Sequence, residues 1–301
     1  MTDRSNSGPR VAAVGRRNRL SRRAFLGATA GFALATACGG RSGQGASTTT
    51  SETPPLNLVL GSFQVLSGAE QRVAFGVLDG QRPVGTGTEV AISFAAVDGD
   101  ATEFAPATRR DEGIEARPLY VAHHTFDQPG TYTATAKVGN RSAEAAVQVI
   151  DPATSKVPVP GQPLPAVPTP TTADARGVDP ICTREPACPW HDISLDAALA
   201  EAKPIVLLVA TPALCQSAVC GPVLDILMAV RGEYEPAVRF VHAEVFTDSS
   251  GNTTTLTVQS LQLENEPFLF MAGADGLVKE RFDGPYDRAE AAAALSRLIQ
   301  G

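Results

Sequence analysis

Between Asp151 and Pro180 the sequence carries eight prolines in thirty residues, most of them in KVPVPGQPLPAVPTPTT. Such a run favours an extended, semi-rigid polyproline-II spacer, so it separates two stretches that must fold by different rules. A chain of 301 residues has room for about two domains, because single cores rarely outgrow ~150 to 200 residues.

Before the run, residues 56–150 alternate with a two-residue period in LNLVL, RVAFGVL, TEVAISFAAV, YVAHHTF, TYTATAKV and AEAAVQVI. Turn residues punctuate them at the intervals expected of an all-β sandwich. His123 and His124 lie in one of these strands and face opposite sides, so they cannot chelate one ion together.

After the run the rhythm changes. SLDAALAEA reads as a helix with Ser194 at its N-cap, and KPIVLLVA is a continuous apolar run of the kind buried on both faces. PVLDILMAVRG predicts a helix with Pro222 in its first turn and Gly232 at its stop. VRFVHAEVF, FLFMAG and LVKERFDG read as three further strands, and DRAEAAAALSRLIQ as a closing helix. Alternating strands and helices predict an α/β sheet.

The N-terminus runs from an Arg-rich segment into fourteen weakly polar residues, Ala24 to Ala37, and stops at Cys38. Fourteen helical residues cover roughly 21 Å, short of a ~30 Å hydrocarbon core, so the layout reads as a signal peptide. SRRAFLG resembles the twin-arginine export motif, with Arg22 and Arg23 in its paired positions. LATAC resembles a bacterial lipobox, which implies a lipidated Cys38 and a protein anchored on the outer face of the cytoplasmic membrane. GGRSGQGASTTTSETPP then reads as a flexible tether. The expected organisation is 1–37 signal, 38–55 tether, 56–150 sandwich, 151–176 Pro-rich linker and 177–301 α/β domain.

Charge excludes one class of partner. Residues 1–37 hold seven Arg against one Asp, and removing that +6 from the chain's −7 leaves −13 on the remainder. A body that acidic, without a basic patch, does not bind nucleic acid. No P-loop, G-x-S-x-G, H-E-x-x-H or dinucleotide-binding glycine pattern occurs, and no cofactor is expected.

Beyond Cys38, four cysteines remain in a compartment that permits disulfides: Cys182, Cys188, Cys215 and Cys220. Four cysteines allow three pairings, and the spacing favours neighbours. Cys182 and Cys188 read as a structural disulfide. Zinc on Cys182, Cys188 and His191 lacks an obvious fourth ligand, and C-x5-C exceeds the usual spacing, so no metal is expected. Trp190 reads as a packing anchor and His242 as a satisfied histidine at the core edge.

FDQPGTYTATAKVGNRSAEAAVQVI resembles the last two strands of an immunoglobulin-like domain, with Tyr132 placed for a tyrosine corner. PIVLLVATPALCQSAVCGP and LQLENEPFLFMAGADGLVKERFDGPYDRAEAAAALSRLI resemble the two halves of a thioredoxin-like domain. Cys220-Gly221-Pro222 matches the first three residues of CGPC, and Pro267 stands where that family has its cis-proline. TPALCQSAVC is also similar to the TP-containing loop of C-x4-C peroxiredoxin-like peroxidases, with Thr211 one residue out of register. The whole is expected to be multidomain, an immunoglobulin-like sandwich followed by an α/β thioredoxin-like domain.

The thioredoxin-like resemblance implies thiol–disulfide exchange with extracytoplasmic thiol or disulfide proteins. Cys215 and Cys220 would react, surrounded by Thr211, Pro212, Gly221, Pro222, Glu266 and Pro267. The spacing is C-x4-C, Leu214 replaces the usual Trp, and Leu207 falls about where the family buries a carboxylate. The alternative is a non-catalytic binding or scaffold lipoprotein whose cysteines are structural disulfides. Five helical steps rise ~7.5 Å, so Cys215 must fold back from the loop for its sulfur to meet that of Cys220.

Overall fold

The two-residue rhythm of the first half forms ten strands, of which six are the ones the alternation predicts: β1 (Leu56–Leu60), β2 (Val65–Leu66), β3 (Glu70–Asp79), β4 (Arg82–Pro83), β5 (Ala91–Ala96), β6 (Ala105–Pro106), β7 (Thr108–Arg110), β8 (Leu119–Thr125), β9 (Gly130–Val138) and β10 (Arg141–Ile150). The other four, β2, β4, β6 and β7, have two or three residues each, too few to show a period. The computed structural model describes residues 54–300. The signal segment with Arg22 and Arg23, the lipidation residue Cys38 and the tether as far as residue 53 lie outside the described residues.

One sheet runs β1-β3-β8-β7 with β4 on β3, and the other runs β2-β10-β9-β5-β6. They pack face to face as a β-sandwich around Val73, Phe75, Ile92, Phe94, Tyr120, Phe126, Ala134 and Val147. Tyr132 Oη donates to Gln128 O at 3.0 Å, the upstream backbone bond expected of a tyrosine corner. His123 is exposed, while His124 stacks on Phe94 at 4.8 Å, as strand alternation requires.

The second half forms α1 (Leu195–Ala200), β11 (Ile205–Val209), α2 (Cys220–Val230), β12 (Arg239–Ala243), α3 (Leu256–Leu261), β13 (Phe268–Ala272), β14 (Val278–Asp283) and α4 (Arg288–Gln300). Its four strands lie in the order β12-β11-β13-β14, with β11 and β12 parallel and the other pairs antiparallel. All five residues of β11 are buried because both faces of this sheet are covered, as the apolar run predicts. Val206 and Leu208 face α2 and α4, while Ile205, Leu207 and Val209 face α1 and α3. Helix α3 is an element that the sequence pattern does not predict.

The Pro-rich stretch is not a free-standing spacer. Val157, Val159, Leu164 and Val167 are buried, and Val157, Leu164 and Val167 join the core under α1 and β13. Leu164 N–H donates to Gly276 O at 2.9 Å, and Arg281 Nη1 donates to Pro158 O at 3.0 Å. Ser194 occupies the N-cap of α1 but does not cap it with its side chain. The Leu195 N–H is met instead by Thr169 Oγ1 from the Pro-rich stretch, at 2.9 Å.

The sandwich also packs directly on the α/β half. Within β3 and β8, Phe75 and Tyr120 point into the sandwich, while Ala74, Leu119 and Val121 point out into a core shared with α2 and α4. Arg72 on β3 grips Glu290 on α4 through Nε and Nη2, at 2.6 and 2.8 Å. Gln64 N–H donates to Asp283 Oδ2 at 2.7 Å, and the Phe63 ring lies 5.9 Å from that of Phe268. Gly284, at φ +106°, lets the two backbones touch, because a Cβ there would lie 2.1 Å from Gly61 O.

Candidate functional site

Strand β11 ends at Val209 and the chain turns through Thr211 and Pro212 before α2 starts at Cys220. This loop folds back, as the C-x4-C spacing requires, and brings the Cys215 sulfur to the start of α2. The Cys220 N–H points at Cys215 Sγ at 3.4 Å, and Ser217 Oγ lies 3.2 Å from the same sulfur. The Cys220 sulfur lies within 4.8 Å of it.

These donors favour the thiolate. The Cys220 thiol above all, then Ser217 and the backbone N–H groups, lower the Cys215 pKa to about 5 against the cost of its partial burial. The same hydrogen bond, with burial and the neighbouring Glu266, pushes the Cys220 thiol far up. Cys215 is partly exposed and Cys220 is fully buried. The start of α2 and the greater exposure both favour Cys215 as the thiolate once the loop is folded.

Glu266 joins this pair. One of its carboxylate oxygens lies within 4.8 Å of both sulfurs. The bond to Pro267 is cis, and Pro267 immediately precedes β13. Glu266 Oε2 is buried without a partner, and desolvation, then the charge of Cys215, raises the Glu266 pKa to about 8. Leu207 is buried on the α1 side, away from the cysteines. A buried carboxylate comes instead from Glu244, just past β12 and 2% exposed, whose charge also acts on Glu266.

Beside the loop lies a groove of about 360 Å³ lined by Leu214, Ser217, Phe246, Leu263 and Glu266, with Phe63 of the sandwich half on one wall. Its size and apolar lining suit one or two side chains of a polypeptide.

The other cysteines do not form the disulfide expected from their spacing. All four cysteines among the described residues are free thiols. Cys182 and Cys188 converge with His191 and His242, and the four ligating atoms lie within 4.8 Å of one another. His242, expected at the core edge, is fully buried. Its Nε2–H donates to Ala210 O at 3.1 Å, which turns Nδ1 toward the sulfurs. Trp190 packs as expected, stacked on Phe240 at 5.0 Å.

The sequence alone gives His242 only a packing role and does not single out Glu244. Their signal was present in VRFVHAEVF, where Phe240, His242 and Glu244 share one face by alternation while Val241, Ala243 and Val245 face the opposite core. Two polar residues on the buried face of an apolar strand need partners there.

Thr183 ties the two cysteine groups together. Its N–H donates to Glu244 Oε1 at 2.5 Å, and its Oγ1 accepts from the Ala213 N–H at 3.1 Å. Arg184 pairs with Asp225 on α2 at 2.7 Å.

No family model matches the sequence, and no curated protein matches it. Among solved structures, the chain is similar to the Lin-41 filamin domain at TM-score 0.24 and 12% identity, over 33% of this chain and 97% of that one. It is similar to the PKD domain of the human VPS10 domain-containing receptor SorCS2 at TM-score 0.21 and 20% identity, over 42% and 100%. A conjugative transposon lipoprotein from Bacteroides eggerthii gives TM-score 0.20 and 12% identity, over 32% and 98%. At such scores these likenesses say nothing about the site.

Proposed function

We propose that this chain is an extracytoplasmic, membrane-anchored protein with an immunoglobulin-like sandwich and a thioredoxin-like domain, which exchanges thiols and disulfides through Cys215 and Cys220. One observation carries the reading. A partly exposed sulfur at the start of α2 receives hydrogen bonds that stabilise its thiolate, and a fully buried thiol stands beside it. That asymmetry is what an attacking and a resolving cysteine need.

In the reducing direction, the Cys215 thiolate attacks one sulfur of a partner disulfide, and the other partner sulfur leaves as a thiolate. The resulting mixed disulfide is attacked by Cys220 after it loses its proton. The Cys215–Cys220 disulfide forms and the partner's second thiolate departs. Two electrons pass from this chain to its partner, and the reverse sequence oxidises a dithiol. Glu266 titrates near neutrality beside both sulfurs, which suits it to take and return the Cys220 proton.

The strand order β12-β11-β13-β14 and the proline just before β13, next to Glu266, support the thioredoxin-like assignment. The twin-arginine-like segment and the lipobox-like Cys38 support the address. The groove beside Leu214 suits an apolar side chain of a protein partner.

The test is the reduction potential of the pair, by glutathione or dithiothreitol titration with the cysteines mapped by mass spectrometry. A value between about −270 and −120 mV is expected of an oxidoreductase. A value below roughly −300 mV would make the pair a staple and favour a binding or scaffold lipoprotein.

A further inference from the structure

We propose that Cys182, Cys188, His191 and His242 bind one zinc ion that locks the Cys182–Trp190 loop to β12. The argument begins with spacing between the ligating atoms. Zinc holds thiolate sulfur at about 2.3 Å and imidazole nitrogen at about 2.0–2.1 Å in a tetrahedron, so nitrogen–nitrogen edges are about 3.3 Å and sulfur–nitrogen edges about 3.6 Å. His191 Nε2 and His242 Nδ1 are 3.3 Å apart. Cys188 Sγ lies 3.2 Å from His191 Nε2 and 3.4 Å from His242 Nδ1, and Cys182 Sγ lies 3.7 Å from His242 Nδ1. These are four of the six edges of a coordination tetrahedron, each within about 0.4 Å of the expected length, and the remaining two lie within 4.8 Å.

Chemistry and surroundings agree with the geometry. Two thiolates and two neutral imidazoles around a divalent cation carry no net charge, so the cluster can be buried without an unpaired ion. Burial is close to complete, at 5% exposure for Cys182 and Cys188, 3% for His191 and none for His242. The His242 Nε2–H bond to Ala210 O is the outer-shell contact that fixes which nitrogen faces a metal. The Cys188 N–H donates to Cys182 Sγ at 3.4 Å, so the loop's own backbone holds that sulfur in place.

Four protein ligands in a closed shell leave no open position, which makes the site structural and not catalytic. Its supports reach the redox loop, because Ala210 immediately precedes Thr211 and Thr183 Oγ1 holds the Ala213 N–H. None of its four residues belongs to the Cys215–Cys220 couple, so the zinc site can stand if the redox reading falls.

The experiment measures metal in the full chain, purified under reducing conditions with zinc supplied, and repeats the binding with cobalt(II) as a spectroscopic probe. One zinc per chain is expected. Cobalt should give the intense visible bands of tetrahedral sulfur–nitrogen coordination and a thiolate charge-transfer band. Cys188→Ser and His242→Gln should each weaken zinc binding by more than the ~10–100-fold that loss of an outer-shell partner costs. A Cys215→Ser/Cys220→Ser chain should bind as the parent does. Since ligand variants can fail to fold, the unaltered chain is also alkylated with N-ethylmaleimide. Cys182 and Cys188 should be protected in the zinc form and modified once a chelator removes the metal. A chain that takes up no zinc, a Cys182–Cys188 disulfide in the isolated protein, metal that follows Cys215 and Cys220, or copper or iron at these four residues would each overturn the assignment.

Discussion

Cys220→Ala is expected to raise the pKa of Cys215, because it removes the strongest of the hydrogen bonds that hold its thiolate. A hydrogen bond to a charged group contributes ~1.5–3 kcal/mol, and one pKa unit corresponds to ~1.4 kcal/mol, so its loss moves the pKa by about one to two units. Cys215 is partly exposed, and solvent screening favours the lower end of that range. The pKa should therefore move from about 5 to roughly 6, still low because Ser217 and the backbone N–H groups of Val219 and Cys220 remain. Cys220→Ser retains an O–H donor and should leave the pKa near its original value. The assay is the pH dependence of iodoacetamide alkylation of Cys215 in the reduced chain, followed by mass spectrometry of the modified peptide. An inflection near the ordinary thiol value of 9.0 in the unaltered chain, or identical curves for the Ala and Ser variants, would refute the reasoning.

Glu266 gives a stability test in the opposite sense. Its folded pKa of about 8 exceeds the ordinary 4.5, so its contribution is complete below 4.5 and lost as pH rises through about 8. Denaturation across that window should show a smaller decline with pH for Glu266→Gln, and an unchanged decline would count against the buried position of the carboxylate. Arg72→Ala leaves the 8%-exposed Glu290 unpaired between the two halves and should cost about 3 kcal/mol, read from the urea midpoint. A loss under ~1 kcal/mol would show the pair to be no stronger than a surface one. Gly284→Ala places a Cβ against Gly61 O at a positive φ and should destabilise by more than ~1 kcal/mol in the same assay. Wild-type stability in Gly284→Ala would mean that the two halves do not touch there.

What could be read from the chain alone was whatever repeats locally. The period of two predicts the six long strands of the sandwich, and the continuous run IVLLV predicts a strand covered on both faces. The helix signals around Pro222 predict α2, and the C-x4-C spacing requires the fold-back that sets Cys215 against the start of that helix. Local pattern is a reliable guide there because it reports which side of an element meets the core.

Tertiary structure decided everything that depends on residues far apart in sequence. Val157, Leu164 and Val167 sit among prolines and look like spacer residues until the sheet under α1 offers them a surface. Glu244 supplies a buried carboxylate from just past β12, which no inspection of β11 could reveal. His242 lies 51 residues from His191, so Cys182, Cys188 and His191 look one ligand short until β12 pairs with β11 and carries His242 to the sulfurs. Sequence spacing measures only the chain between two residues, whereas sheet pairing sets which side chains meet.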